Sequence, residues 1–303
     1  MKKILIVFDE IGWAFWNHAK ELQKRLTEYK VDIIDHRQNI PEISKNHDVT
    51  YIMDPMPLPS GYPPPNKTIL GLRNEFLFRE HPRGAKGLYE NGFPGRCVSI
   101  KDKCCILHMV NQNQMKVFKD IVTDKPLILA QHGIDEEIFD RSKYNKVNNE
   151  SMIVGISGRG SSNKGFELVV AACKEVGVKC VGAQYGRNKL SKNDMPKFYS
   201  SIDVFVCMSK TEGLNNVTME SGAMGIPVIS TRSGAAEEMI IDGVSGLLID
   251  RNVDALVIAL NKLKDKELRE SMGNKYYEEI MKNWTWKVKI EDFRKMFKLF
   301  FEM

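Results

Sequence analysis

The chain has 303 residues, which is enough for two domains of about 150 residues each or for one large α/β barrel. Its 43% hydrophobic and 27% charged content is that of an ordinary soluble protein, and its apolar runs are too short to span a bilayer. The formal net charge of +5 is modest. The first residues pass directly from KKILIVF into acidic residues without a cleavage site, so we predict a first strand, no signal peptide and a cytoplasmic protein.

The cysteines and the basic residues each bear on the choice of ligand. The six cysteines show no C-x-x-C spacing and no nearby histidine, so we interpret them as reduced thiols and not as metal ligands. Residues 67–103 hold eight Lys and Arg against four Asp and Glu. This stretch indicates an anionic partner, and a solvated basic face is the simpler alternative.

Strand-like and helix-like segments alternate through the first half of the chain, as is typical of βαβ units and a parallel sheet. After KKILIVF, apolar residues from Phe15 to Tyr29 recur at helical spacing. The prolines between Pro55 and Pro65 predict an irregular loop, because proline lacks a backbone donor and has a fixed φ. Further strands are predicted at VDIID, VTYIM, KTILGL, CCILHMV and LILAQH.

A second βαβ series follows the polar stretch KYNKVNNES, residues 143–151, which we interpret as a linker. Its predicted strands are MIVGIS, VKCVGA, DVFVCMS, PVIST and GLLI. We therefore predict two doubly wound α/β domains, residues 1–147 and 148–285, facing each other across a cleft where such folds bind ligands. Helical spacing from Trp286 onward predicts a final helix, residues 286–303.

Two carboxylates, Glu212 and Glu220, follow the predicted strand DVFVCMS with seven residues between them. We place Glu212 in the loop at the carboxyl end of that strand and Glu220 in the helix beyond. With Asn215 or Asn216 as the N-cap, residues 217–220 form the first turn, whose unpaired amides attract phosphate. Taken singly, each acid has a simpler explanation. Glu220 complements the helix dipole, and Glu212 is an ordinary acid in a loop.

A glycine-rich turn, GISGRGSSNKG, occupies residues 155–165 after the predicted strand MIVGIS. Glycines permit close approach of the backbone to a ligand, and Arg159 and Lys164 on one loop are suited to grip a diphosphate. The turn is not a Walker loop, since neither its glycine spacing nor the residue after the lysine matches. Two solvated surface cations are the alternative interpretation.

In this order the residues resemble the retaining GT-B glycosyltransferases of glycosyltransferase family 4, the glycosyl transferases group 1. The resemblance rests on GRGSSNKG, on the stretch from FYSSIDVFVCMS through TEGLNNVTMESGAMGIPVIS to DGVSGLLI, and on LAQHGIDEEIF. It covers residues 127–139 and 152–250. It implies a GT-B fold of two Rossmann-like domains, in which the final helix crosses back to the first domain.

The resemblance also implies a role for each matching residue. Arg159 and Lys164 would hold the donor diphosphate, Glu220 would bind the donor ribose, and Glu212 would lie against the transferred sugar. We assign Glu212, Arg159 and Lys164 as the catalytic residues. Gly12 would stand in a glycine-rich turn near the donor phosphates. The loop whose amides would face the phosphate and sugar consists of Gly213, Leu214, Asn215, Asn216 and Val217.

The acceptor side matches the family less well. The N-domain histidine of the family has no clear counterpart, because this chain reads LGLRNEFLFREHP at that point. Core packing is an equal interpretation for Trp13 and its neighbour Trp16, and a histidine at a strand end usually has a structural role. Our acceptor candidates are Trp13, Arg73, Glu75, His81 and His108.

The activity implied is metal-independent transfer of a sugar from a nucleoside diphosphate, with retention at the anomeric carbon. We expect a UDP-sugar as donor, no cofactor, and neutralisation of the leaving diphosphate by Arg159, Lys164 and helix amides instead of a cation. We expect an anionic acceptor, which the resemblance leaves open among a glycan, a lipid, a polymer and modified DNA, and no obligate protein partner. The alternatives are a GT-B sugar-nucleotide epimerase or hydrolase, and a non-catalytic protein that binds nucleic acid or sugar nucleotide.

Overall fold

The computed structural model describes residues 1–12, 14–55, 58, 60–72, 103–120, 122–157, 163–183 and 190–303. These residues form two compact units, one of Met1–His132 with Lys289–Met303 and the other of Gly133–Val288. Each unit is built on its own sheet of parallel strands. The prediction of two doubly wound parallel α/β domains is confirmed.

The sheet of the first unit has the strand order β2-β1-β3-β4-β5-β6. Every one of these strands coincides with a predicted segment. The strands are β1 (Lys3–Phe8), β2 (Lys30–Asp35), β3 (Val49–Ile52), β4 (Thr68–Leu72), β5 (Ile106–Met109) and β6 (Leu127–Leu129). The helices described between them are α1 (Ala14–Arg25), α2 (Ile40–Ser44) and α3 (Gln112–Phe118).

The sheet of the second unit has the strand order β11-β10-β9-β7-β8. Its strands are β7 (Ile153–Ser157), β8 (Lys179–Ala183), β9 (Val204–Cys207), β10 (Val228–Thr231) and β11 (Gly246–Ile249). Its helices are α4 (Phe166–Val176), α5 (Met195–Ser200), α6 (Asn216–Ala223), α7 (Ala236–Met239), α8 (Val253–Lys262) and α9 (Lys266–Asn283). The last helix, α10 (Trp286–Glu302), begins in this unit and continues into the first.

Both faces of each sheet are covered, as parallel sheets require. Alternate residues of β9 show this, because Phe205 packs in one buried cluster while Val204 and Val206 pack in another. In the first unit, Tyr51 of β3 contacts the rings of Phe293 and Phe297 from α10. The end of the last helix is therefore part of the core of the first unit.

The polar stretch that we interpret as a linker, residues 143–151, lies inside the second unit, which begins at Gly133. Ile134 and Phe139 are buried in the same cluster as Tyr199. Apolar burial therefore joins the chain to the second unit before the polar stretch begins. Among the described residues, no helix combines the length and apolarity needed to cross a membrane.

Candidate active site

The candidate site lies at the carboxyl edge of the second sheet, in the loops that follow β7 and β9. These two strands are neighbours, and the strand order reverses between them, because β8 lies beyond β7 while β10 and β11 lie beyond β9. Doubly wound sheets bind ligands at such a reversal. Lys164 stands in the loop after β7 and Glu212 in the loop after β9. The topology therefore brings both residues to the expected ligand position.

Lys164 and Glu212 form an ion pair across these two loops. The Lys164 Nζ donates to the Glu212 Oε1, and the two side chains are 28% and 15% exposed. Burial lowers the pKa of Lys164, but attraction to Glu212 and Cys207 outweighs burial, so the pKa lies above its ordinary value. Lys164 is therefore a partly exposed cation at neutral pH, already held next to a carboxylate.

Asn163 ties the same two loops together, and the sequence analysis did not select it. Its Nδ2 donates to the carbonyl oxygen of Thr211 at 3.1 Å, and its Oδ1 accepts from the amide of Thr211 at 3.2 Å. The amide of Lys210 donates to the Asn163 carbonyl oxygen at 2.8 Å. The only sign of this role in the sequence is the position of Asn163 next to Lys164. The role could not be predicted, because the sequence does not show that Thr211 in the other loop is its partner.

Helix α6 begins at Asn216, and Asn215 is its N-cap residue with a left-handed φ of 50°. The Asn215 side chain makes no capping hydrogen bond, and its Nδ2 donates instead to the Cys207 Sγ at 3.4 Å. The N-cap side chain therefore does not occupy the amides of the first turn, which suits a phosphate ligand there. The side chain of Leu214 is buried in the core of the second unit.

Glu220 is the fifth residue of α6, so it stands beyond the first turn in which the sequence analysis placed it. This corrects the prediction and weakens the dipole explanation, since that effect falls off within the first turn. Glu220 is only 6% exposed, and burial raises the pKa of its carboxyl to about 7. The Tyr199 hydroxyl donates to its Oε2 at 2.9 Å. A buried acid with a raised pKa beside a ligand position is a candidate functional residue.

Lys192 is a second residue that the sequence analysis missed. Its positive charge acts against the rise in the pKa of Glu220. Its Nζ lies 3.6 Å from the Oδ2 of Asp135, which belongs to the segment LAQHGIDEEIF. The structure thus links this segment, one of those that carry the family resemblance, to the electrostatic surroundings of Glu220.

Gly234, in the loop after β10, braces the loop that carries Glu212. Its φ is +57°, and a Cβ at this position would lie 2.3 Å from the carbonyl oxygen of Gly213 and 2.8 Å from that of Glu212. The amide of Ala235 donates to the same Gly213 oxygen at 3.1 Å. The two loops therefore pack backbone to backbone, without room for a side chain.

Replacement of Gly234 with alanine is expected to displace the Glu212 loop and to lower the free energy of unfolding by about 2–4 kcal/mol, through backbone strain and collision. Gly243→Ala is a matched control, because Gly243 has a φ of +76° but no atom within 4 Å of its Cβ position. Backbone strain alone should cost about 1–2 kcal/mol there. Urea unfolding measures both, and equal losses would contradict the bracing role.

The other predicted residues belong to the first unit or lie outside the described part of the chain. Gly12 follows β1 in the first unit, with a φ of +87° and open space around its Cβ position. Trp16 of α1 has the Lys20 Nζ 3.4 Å from its ring centroid. The predicted residues Arg159, Trp13, Arg73, Glu75 and His81 lie outside the described part of the chain. Within that part, no group of three or more His, Cys, Asp and Glu side chains is arranged to hold a metal ion.

His108 is buried in the first unit, and its structure favours a structural role over the predicted acceptor role. Its Nε2 lies 2.5 Å from the carbonyl oxygen of Ala130, and its Nδ1 lies 2.8 Å from the Tyr51 hydroxyl. Burial lowers the pKa of His108 to about 4, so the ring is neutral at pH 7. The neutral ring donates from Nε2 and accepts at Nδ1, so both nitrogens are occupied within the protein.

Known proteins that resemble this chain are glycosyltransferases. Residues 143–266 match the family Glycosyl transferases group 1. The capsular polysaccharide biosynthesis glycosyltransferase CapM of Staphylococcus aureus is 23% identical over 67% of this chain and 60% of CapM. An uncharacterized glycosyltransferase of Methanocaldococcus jannaschii is 23% identical over 92% of this chain and 93% of its own length. The chain therefore spans less than two thirds of CapM.

Solved structures share the fold of the two units. A glycosyltransferase from Rickettsia africae has a TM-score of 0.75 at 13% identity, over 99% of this chain and 98% of its own. HepE of Anabaena, solved with UDP and glucose, has a TM-score of 0.73 at 13% identity, over 98% of this chain and 100% of its own. At such identities the likeness shows the fold alone. Residues 143–266, which include Lys164, Glu212 and Glu220, match the family Glycosyl transferases group 1, and the two units have the GT-B fold.

Proposed function

We propose that this protein transfers a sugar from a nucleoside diphosphate sugar that binds to its second unit. One observation carries the proposal: Lys164 and Glu212 are paired in the two loops where the strand order reverses, and Glu212 lies in the loop that leads to the start of α6. A cation, a carboxylate and the backbone amides at the start of a helix are the groups that a diphosphate and a sugar need. The family match of residues 143–266 supports the same activity.

The donor diphosphate is assigned to Lys164, Arg159 and the backbone amides of residues 213–217. A diphosphate carries more charge than one carboxylate, so it competes with Glu212 for the Lys164 ammonium. Glu212 is then released to accept hydrogen bonds from the hydroxyls of the transferred sugar. Because the cations and helix amides stabilise the leaving diphosphate, the reaction proposed is independent of a metal ion.

Glu220 is assigned to the donor ribose. Two ribose hydroxyls can donate to one ionised carboxylate, and charge-assisted hydrogen bonds of this kind are strong. A helical side chain leans toward the N-terminus of its helix, which directs Glu220 toward the first turn of α6. The Tyr199 hydroxyl, 2.9 Å from the Glu220 carboxylate and 3.2 Å from the Val217 carbonyl oxygen, supports this direction.

The transfer itself forms one bond and breaks one. The acceptor hydroxyl oxygen bonds to the anomeric carbon, while the bond from that carbon to the β-phosphate oxygen breaks and leaves its electron pair on the diphosphate. The departing phosphate takes the acceptor proton, and attack on the face that it leaves retains the configuration. The resemblance to retaining enzymes supports this course, and the acceptor side is assigned to the first unit.

The relatives guide the choice of donor and acceptor. HepE was solved with UDP and glucose, so we propose a UDP-sugar as donor. CapM acts in capsular polysaccharide biosynthesis, so we propose a glycan or lipid-linked glycan as acceptor. The five described cysteines are unbridged, which is in keeping with a cytoplasmic site of action.

A thermal-shift screen of UDP-, GDP-, ADP- and dTDP-sugars tests the donor, because a bound ligand raises the melting temperature. We expect a shift with UDP-sugars and, with a suitable acceptor, release of nucleoside diphosphate that persists in EDTA. Free sugar or an epimerised donor formed without acceptor would favour a hydrolase or an epimerase. Salt-sensitive DNA or RNA binding that survives Glu212→Gln, without any donor shift, would favour a non-catalytic binding protein.

A further inference from the structure

Three lysines of the first unit precede three neighbouring strands. Lys45 lies shortly before β3, Lys67 directly before β4, and Lys103 shortly before β5. These strands are adjacent in the sheet, so all three lysines lie at its amino edge. Doubly wound sheets bind substrates at the opposite, carboxyl edge. Strands of four or five residues separate the two edges by about 13–17 Å.

The three lysines line one open depression with a volume of about 610 Å³. Its remaining walls include Tyr62, Pro41 and the prolines at 63–65, and none of the described residues that line it is an aspartate or a glutamate. Depressions of about 300–1,000 Å³ commonly hold small ligands. The surface is thus concave, partly apolar and positively charged.

The charges of this depression are available to a ligand. Lys67 and Lys103 have no carboxylate partner within the part of the chain that the structure describes. Lys45 forms an exposed pair with Glu42, at 2.5 Å between Nζ and Oε2, and such pairs contribute little stability and exchange readily. The Lys103 Nζ lies 5.9 Å from the centroid of the Tyr62 ring, so a cation and an aromatic face adjoin each other.

We infer that this depression is a binding site, separate from the donor site, for a sugar that carries a carboxylate or phosphate group. A tyrosine ring and proline rings offer the flat apolar surface on which a sugar ring packs, while lysines pair with its anionic group. A membrane surface would instead require apolar side chains that protrude beside the lysines. Here Tyr62 is half-buried and Pro63 is buried, and the exposed apolar residues, Pro64 and Pro65, are not the large aromatic or aliphatic side chains that enter a membrane. Lys67 and Lys103 are the first and last residues of the basic stretch 67–103, most of which lies outside the described part of the chain.

The test uses hexagalacturonate, labelled at its reducing end, which has a carboxylate on each sugar. Fluorescence anisotropy at low salt should detect binding to the wild-type protein, and neutral maltohexaose should not compete. The double variant Lys67→Glu and Lys103→Glu should bind at least about tenfold more weakly, because two attractive charges become repulsive. Competition by glucose 6-phosphate against labelled hexagalacturonate then tests whether the site also binds a sugar with a phosphate group in place of a carboxylate.

The matched control is the double variant Lys116→Glu and Lys119→Glu, which changes the charge equally at two exposed lysines of the same unit. It should bind hexagalacturonate within about twofold of wild type. Both double variants should keep the melting-temperature shift with UDP-sugars, which separates this site from the donor site. The inference would be overturned if both double variants lost hexagalacturonate binding equally, or if the wild-type protein did not bind hexagalacturonate. It would also be overturned if Lys67→Glu with Lys103→Glu weakened binding to phosphatidylglycerol vesicles but not to hexagalacturonate.

Discussion

Replacement of Lys164 with alanine is expected to weaken binding of a nucleoside diphosphate by about 10- to 150-fold, or about 1.5–3 kcal/mol. The change removes the ammonium that would hold the diphosphate. It also leaves the Glu212 carboxylate, only 15% exposed, without its ion-pair partner and facing an anionic ligand. Both consequences act against the bound state. Isothermal titration with UDP measures the loss directly.

Lys210→Ala is the matched control, because Lys210 is exposed, lies in the Glu212 loop and carries the same charge. It should bind UDP within about twofold of wild type. Glu212→Gln should bind bare UDP at least as tightly as wild type, because Lys164 is then released from its partner, yet it should transfer sugar more slowly. Weaker UDP binding by Glu212→Gln than by Lys164→Ala would contradict this assignment of roles.

Glu220→Gln is expected to stabilise the unliganded protein at neutral and alkaline pH while weakening donor binding. Burial raises the pKa of Glu220 to about 7 in the folded protein, against an ordinary value of 4.5. Between these values the folded state holds a proton that the unfolded state has lost, so wild-type stability falls as the pH rises from about 4.5 to 7. A pKa difference of this size lowers the free energy of unfolding of the wild type by about 3 kcal/mol above pH 7. Glutamine does not ionise, so the variant avoids this loss.

Urea unfolding of the wild type and the variant at pH 4 and pH 8 tests the sign of this effect. Their difference in unfolding free energy should increase toward pH 8 and be small at pH 4. Glu175→Gln, at an exposed carboxylate of the same unit, should show no such dependence. UDP-sugar binding to Glu220→Gln should be weaker by about 1–3 kcal/mol at pH 8, since an amide replaces the charged acceptor. A pH-independent stability difference, or unchanged binding, would contradict the corresponding half of the prediction.

The strands were predictable because their signal is local. Runs such as ILIVF and VFV are almost wholly apolar and end at polar or glycine-containing turns, as expected for parallel strands buried on both faces. Helix α4 was predictable for the same reason, since Gly165 and Gly177 bound a periodic segment. The five-residue helix α2 was not predicted, because it is too short to show a helical period.

Boundaries were harder to predict than elements. The helix carrying Glu220 begins one residue earlier than the favoured first turn, at Asn216, which moves the acid out of that turn. The change of unit occurs at Gly133 and not at the polar stretch, because Ile134 and Phe139 are buried with the second unit. A polar composition reports exposure, whereas unit membership depends on which core buries the neighbouring apolar residues.

The sequence by itself determined the two α/β units, the order of their strands along the chain, and the positions of Lys164, Glu212 and Glu220 after or beyond two strands of the second unit. Only the tertiary structure decided the partners: Lys164 with Glu212, Asn163 with Thr211, and the backbone contact of Gly234. It also gathered Lys45, Lys67 and Lys103 around one depression, and enclosed His108 between Tyr51 and Ala130. The physical reason is the order of strands in the sheet, which brings residues 48 positions apart into contact. Local periodicity reports which side of an element is buried, and it carries no information about the neighbour across the sheet.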